Sequence, residues 1–146
     1  MNYIRQARYD DIDRIAEILV FNYRLNFYQI FHDDGFYFEE LTVAKQKACY
    51  ANELEKILVY DDGVVKGFIQ TENAEVKKLF VEPVLQGNSI GSELLKYAIE
   101  EKKVNFLWAL EKNTRAIAFY KRHGFDITNE KKYEEDTTEF LVRMER

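Results

Sequence analysis

The stretch Leu79-Phe80-Val81-Glu82-Pro83-Val84-Leu85-Gln86-Gly87-Asn88-Ser89-Ile90-Gly91-Ser92 decides how this chain is read. Three apolar residues of strand character run up to Pro83, the only proline in the sequence. A short polar loop with Gly87 and Gly91 follows. An amphipathic helix then begins around Ser92 and runs to Lys102, turning Leu94, Leu95, Ala98 and Ile99 inward. A glycine-bearing loop that feeds a helix start exposes N–H groups without intrahelical partners, backed by the positive end of the helix dipole. Such a place suits an anion. It is neither a Walker loop, which ends in Gly-Lys-Ser/Thr, nor a three-glycine dinucleotide fingerprint.

On the N-terminal side, Tyr3 to Ala7 reads as a strand, and Asp10 or Asp11 can cap a helix. In that helix Ile12, Ile15, Ala16, Leu19 and Tyr23 recur on one face. An aromatic segment from Phe27 to Phe38 reads mostly as helical core. A second helix is predicted over Glu39 to Asn52 with Leu41, Ala44 and Ala48 inward. Ile57 to Tyr60 and Val64 to Thr71 form β runs around Asp61-Asp62-Gly63, a tight-turn signal, and Ala74 to Val81 follows as a third. Beyond the central helix, Val104 to Leu110 is a strand. A helix capped by Asn113 or Thr114 then runs to Gly124, whose freedom to adopt a left-handed conformation ends it. Phe125 to Thr128 and Thr138 to Met144 close the chain as strands. With no repeat or linker, residues 1–146 are expected to form a single α/β domain in the order βααβββαβαββ.

Composition narrows the function. The chain of 146 residues is 47% hydrophobic and 32% charged, which is a globular balance. A net charge of −5 argues against general nucleic-acid binding, which needs a basic face, and leaves room for a cationic substrate. Cys49, standing alone, makes no internal disulfide. His32 and His123 lack further ligands at metal-binding spacing, so no metal site is expected. No apolar run reaches membrane-spanning length, and Met1-Asn2-Tyr3-Ile4-Arg5 has no signal-peptide core. The expectation is a cytoplasmic protein without a membrane partner.

Two signatures in order identify a family. Val81-Glu82-Pro83 followed by Gln86-Gly87-Asn88-Ser89-Ile90-Gly91 is similar to the Val-x-Pro and Gln/Arg-x-x-Gly-x-Gly/Ala pattern of the GNAT superfamily of N-acetyltransferases. Asn113-Thr114-Arg115-Ala116-Ile117-Ala118-Phe119-Tyr120-Lys121-Arg122-His123-Gly124-Phe125 resembles that family's Asn-x-x-Ala-x-x-Phe-Tyr-x-x-x-Gly-Phe signature, one helix and one strand later. One departure is Ser89, where the first motif glycine is usual. The resemblance implies a mixed, mostly antiparallel central sheet flanked by about four helices.

The resemblance also implies acetyl-CoA as co-substrate. Its pyrophosphate would meet the backbone of Gln86, Gly87, Asn88, Ser89, Ile90, Gly91 and Ser92, and its pantetheine arm would run beside Leu79, Phe80 and Val81. Asn113 would hydrogen-bond the cofactor or cap its helix, and Tyr120 would serve as general acid to the leaving thiolate. Glu75, at a position where some members carry a glutamate, is the candidate general base. Strand alternation puts it on one face with Lys77, Leu79 and Val81. Glu72 is the alternative, and some members rely on water alone. The connection between the first two helices commonly walls the acceptor site, so Tyr28 and Phe31 are candidate substrate contacts.

The function expected is acetyl transfer to a primary amine, on a small molecule, a protein lysine or an N-terminus. A catalytically silent acyl-CoA-binding module is the competing reading, against which Tyr120 counts because such a module needs no phenol there. A tRNA-directed acetyltransferase would want a basic groove, which the net charge disfavours, although Lys121-Arg122-His123 and Lys131-Lys132 form short basic runs. Dimers are common in the family, which leaves a homodimer open.

Overall fold

The structure is a computed structural model that describes residues 2–146. Its strands are β1 (Ile4–Gln6), β2 (Ile57–Asp61), β3 (Val65–Glu72), β4 (Glu75–Val81), β5 (Phe106–Leu110), β6 (Asp126–Tyr133) and β7 (Phe140–Glu145). Its α-helices are α1 (Ile12–Phe31), α2 (Val43–Tyr50), α3 (Ile90–Lys102) and α4 (Thr114–Arg122). The element order is the one expected. All seven strands form one sheet in the order β1-β2-β3-β4-β5-β7-β6, antiparallel everywhere except between β4 and β5. No helix among the described residues is long and apolar enough to cross a membrane.

The local signals act as the sequence suggests at the sharp turns. Asp61 Oδ1 accepts from the Gly63 amide at 2.9 Å, and Gly63 takes a φ of +123°. Gly124 stops α4 at a φ of +89°. The second helix differs. A π-helical turn, Gly35–Glu40, occupies its predicted first residues, and the Thr42 hydroxyl caps α2 by accepting from the Lys45 amide. That start sets the rotation of α2, so Val43 and Tyr50 face inward while Ala44 and Ala48 are exposed.

The sheet separates two cores. On one face α3 and α4 bury Leu94, Leu95, Ala98 and Ile117 against Ile69, Val76 and Leu107. On the other, α1 and α2 bury Ile15, Ile18, Leu19 and Tyr50 against Val59 and Phe68. A fully buried Leu or Ile contributes about 1.5–3 kcal/mol, so these two layers hold the sheet between them.

Two irregularities of β4 set the geometry at the centre of the sheet. Thr71 pairs with Val76 while Gln70 pairs with Lys78, leaving Lys77 as an extra residue in a β-bulge. Directly paired residues share a face, so the bulge reverses the alternation on its N-terminal side. Val76 joins Leu79 and Val81 toward α3, and Glu75, opposite Glu72, turns to the other face. The expected grouping of Glu75 with Leu79 and Val81 is therefore overturned. The second irregularity is a short parallel ladder. β4 and β5 pair only at Glu75 with Phe106 and Val76 with Leu107. Beyond those pairs the strands run on without partnering each other.

Candidate active site

The unpaired ends of β4 and β5 open onto a cavity of about 890 Å³ lined by residues from both strands, α1, α3 and α4. After Val81, Pro83 begins a single 3₁₀ turn, Pro83–Leu85, and the chain passes through Gly87 at a φ of +91°. Ser89 is the residue before α3 and is itself left-handed, at a φ of +70°. That conformation explains why glycine is the easier residue there. No side chain caps α3, so its first amides are free to meet a ligand. Gly91 sits in the first turn, where an added Cβ would lie 3.6 Å from both the Phe119 ring and Val81.

This end of the cavity carries positive charge. The Arg122 guanidinium lies 5.9 Å from the centre of the Phe119 ring. His123 Nε2 lies 3.0 Å from Ser92 Oγ. Burial, then Lys96, Arg122 and Arg146, hold the His123 ring below its usual pKa.

Tyr120 lies in the same cavity, its ring packed edge-on against Phe119 and Phe125. Burial raises its pKa above the usual phenol value. Asn113 Oδ1 caps α4 by accepting from the Ala116 amide at 3.2 Å, and the residue also lines the cavity.

Rings and carboxylates, with Lys78 beside Tyr23, form the other end. Tyr23, Phe27 and Phe31 come from α1, Phe36 and Tyr37 from the π-helical turn. Asp33 and Glu40 flank them, and Glu134, Glu135 and Asp136 arrive on the loop between β6 and β7. Burial, then Glu134 and Asp33, push the Tyr37 phenol up to about 12. Burial, then Glu134, also raise Tyr23. The Glu134 charge therefore acts on both phenols.

Most of the expected residues meet in this one cavity: Leu79, Phe80, Val81, Gln86, Gly87, Ser89, Ile90, Gly91, Ser92, Asn113, Tyr120 and Phe31. Three do not. Asn88 is exposed and donates to the Leu85 carbonyl. Tyr28 bonds the Asp34 carboxylate and packs against Tyr37 and Phe38, outside the lining. Glu75 stands 3.7 Å from Lys77 Nζ, also outside it. The alternative base, Glu72, is exposed and pairs with Lys56 at 2.9 Å.

Sequence reasoning passed over Asn22, Lys78 and Glu134. Asn22 carried a readable signal, a polar residue on the helical stripe of Ile15, Ile18 and Leu19. It is 1% exposed. Lys78 was marked by alternation, a lysine on the face of Phe80; for Glu134 the sequence holds no comparable mark, because a loop places it.

Comparison with known proteins agrees with this geometry. The family described as "Acetyltransferase (GNAT) domain" matches residues 45–127. An uncharacterised N-acetyltransferase of Methanocaldococcus jannaschii is 29% identical over 84% of this chain and 60% of its own length. A peptidyl-lysine N-acetyltransferase of Salmonella typhimurium is 31% identical over 49% of this chain and 50% of its own length. The matches thus span less than two thirds of these two relatives. The fold is also that of an N-acetyltransferase from Thermoplasma acidophilum solved with coenzyme A, with a TM-score of 0.69, 20% identity and 98% of each chain covered.

Proposed function

Because this chain belongs to the GNAT acetyltransferase family, whose members take their acetyl group from acetyl-CoA, we propose that it is an N-acetyltransferase acting on a cationic primary amine. One observation carries the reading: the uncapped start of α3 and the Tyr120 phenol open into the same cavity, between β4 and β5 where they no longer pair. The amides of residues 89–92 and Arg122 suit the pyrophosphate, and the free edge of Leu79 to Val81 suits the pantetheine amides as an added strand would.

In this reading the acceptor nitrogen attacks the thioester carbonyl. The new C–N bond forms as the C–S bond breaks, and Tyr120 gives its proton to the departing sulfur. A positioned acid of this kind contributes about 10²–10⁴-fold. Glu75 lies outside the cavity, so Glu134 takes the role expected of it, holding the ammonium and receiving its proton, directly or through water.

The acceptor class follows from the charge division of the cavity. Asp33, Glu40, Glu134, Glu135 and Asp136 surround one end, with rings between them that can hold an ammonium over a face. A protein lysine fits this end, in keeping with the relative named for peptidyl-lysine, and so does a polyamine. The test is calorimetric titration with acetyl-CoA, followed by thiol release with amine acceptors of graded charge. Saturable binding with turnover of cationic amines is expected. Absence of binding at millimolar acetyl-CoA would end the reading.

A further inference from the structure

Lys78 is placed where a lysine is costly. It alternates with Phe80 on the face that looks toward α1 and α2, and there its Nζ donates to the Tyr50 hydroxyl at 2.6 Å. The nitrogen lies 5.2 Å from the centre of the Tyr50 ring and 6.0 Å from that of Tyr23. It forms no ion pair among the described residues, whereas Lys77 is exposed and stands beside Glu75. Gln70 pairs directly with Lys78 across the sheet, and its buried Oε1 has no hydrogen-bond partner. Both β4 lysines line the cavity that holds Tyr120, Lys77 exposed and Lys78 half-buried.

We infer that Lys78 is itself an acceptor: with acetyl-CoA bound and no external amine present, its Nζ becomes acetylated. The inference rests on the acetyl-CoA reading above. Sharing one cavity with the donor gives Lys78 the advantage of an intramolecular nucleophile, which a surface lysine lacks. Its reactive form is also favoured. Burial, then the neighbouring Lys77, lower its pKa, opposed by Cys49 and Glu53 at α2 and beyond and by Glu134 from the β6–β7 loop.

The neutral Nζ attacks the thioester carbonyl carbon, a C–N bond forms and the C–S bond breaks. The sulfur takes a proton from Tyr120, and the proton lost by nitrogen restores the phenol through solvent. The products are Nε-acetyl-lysine and free coenzyme A. The amide N–H can still donate to Tyr50, and no charge remains to be buried among rings. Because the added acetyl group occupies the acceptor end, the modified enzyme should turn over external amines more slowly.

The experiment incubates the full chain with acetyl-CoA alone and follows intact mass, with peptide mapping of the site. One acetyl group on Lys78 is expected, with Lys77 unmodified, no increment in Lys78→Arg, and accumulation about a hundredfold slower in Tyr120→Phe. Mapping of the unsubstituted chain decides the matter even if Lys78→Arg folds poorly. Lys78 left unmodified while an added amine releases thiol overturns the inference and leaves the acetyltransferase reading standing. Acetyl groups scattered over surface lysines at a rate indifferent to Tyr120→Phe overturn it as well. A chain that binds no acetyl-CoA in calorimetry removes the underlying reading and the inference together.

Discussion

Asn22 Nδ2 donates to the Val81 carbonyl at 2.8 Å, tying the middle of α1 to the last residue of β4. The same amide donates to the Ile18 carbonyl at 2.8 Å, and its oxygen accepts from Gln86 Nε2 at 2.9 Å. One buried side chain thus sets the distance between helix, strand end and loop. Asn22→Leu keeps the branched skeleton but leaves the Val81 carbonyl and the Gln86 amide without these partners. Each buried group so abandoned costs about 1–3 kcal/mol. A lower denaturation midpoint and weaker acetyl-CoA binding are expected from a urea titration and calorimetry. An unchanged Kd in the destabilised variant would show that the loop keeps its shape without this tie.

Tyr120→Phe keeps the ring between Phe119 and Phe125 and removes only the proton donor. Turnover should fall by about 10²–10⁴-fold while the acetyl-CoA Kd stays near its original value. Steady-state kinetics beside direct titration separates the two. Equal turnover would mean that the thiolate departs without this acid.

Ser89 holds a left-handed φ of +70°, a conformation that costs a residue with a Cβ roughly 1–2 kcal/mol. Glycine removes that cost and adds about 0.5–1 kcal/mol of chain entropy. Ser89→Gly should therefore stabilise the protein by up to ~1 kcal/mol, read as a small rise in melting temperature. Gly87→Ala, at a φ of +91°, should move it the other way. A drop for Ser89→Gly would show that the serine makes a contact worth more than its strain.

The His123 ring lies against Ser92 with its pKa below the ordinary 6.5, from burial first and then Lys96, Arg122 and Arg146. The free protein therefore loses this proton at lower pH than an ordinary imidazole does. A bound polyphosphate adds negative charge beside it and raises that pKa, so binding takes up protons as pH falls through the range between the free and bound values. Acetyl-CoA affinity should tighten over that range, with less proton uptake in His123→Gln. Calorimetry in buffers of different ionisation enthalpy measures the uptake. The same uptake in both proteins would assign it to another group.

Phe31→Ala and Glu134→Gln should each raise KM for a cationic amine more than for acetyl-CoA. Tyr28→Ala should leave the acceptor KM nearly unchanged, since Tyr28 lies outside the cavity. For the unsubstituted enzyme, kcat/KM with a polyamine should fall as salt rises, because added ions screen the carboxylates around Glu134. Activity that rises with salt, or a preference for anionic amines, would contradict the charge division of the cavity.

The sequence by itself determined the order of elements, the loop after β4 and the signature around Tyr120, because these depend on local spacing: turn residues, a proline and helical periodicity act within a few positions. It also marked Asn113 correctly as a cap. What it could not show are relations between segments distant along the chain. The bulge at Lys77 shows up only in the pairing of β4 with β3, and one extra residue there turns Glu75 away from Leu79 and brings Val76 beside it. Tyr28 and Phe31 read alike in sequence, yet the last turns of α1 point one at Asp34 and the other into the cavity. Glu134 lines the same cavity as Tyr23 because β7 returns the chain beside β5. Alternation and amphipathicity are averages over one segment, and a single unpaired residue in a ladder or the path of a loop is enough to override them.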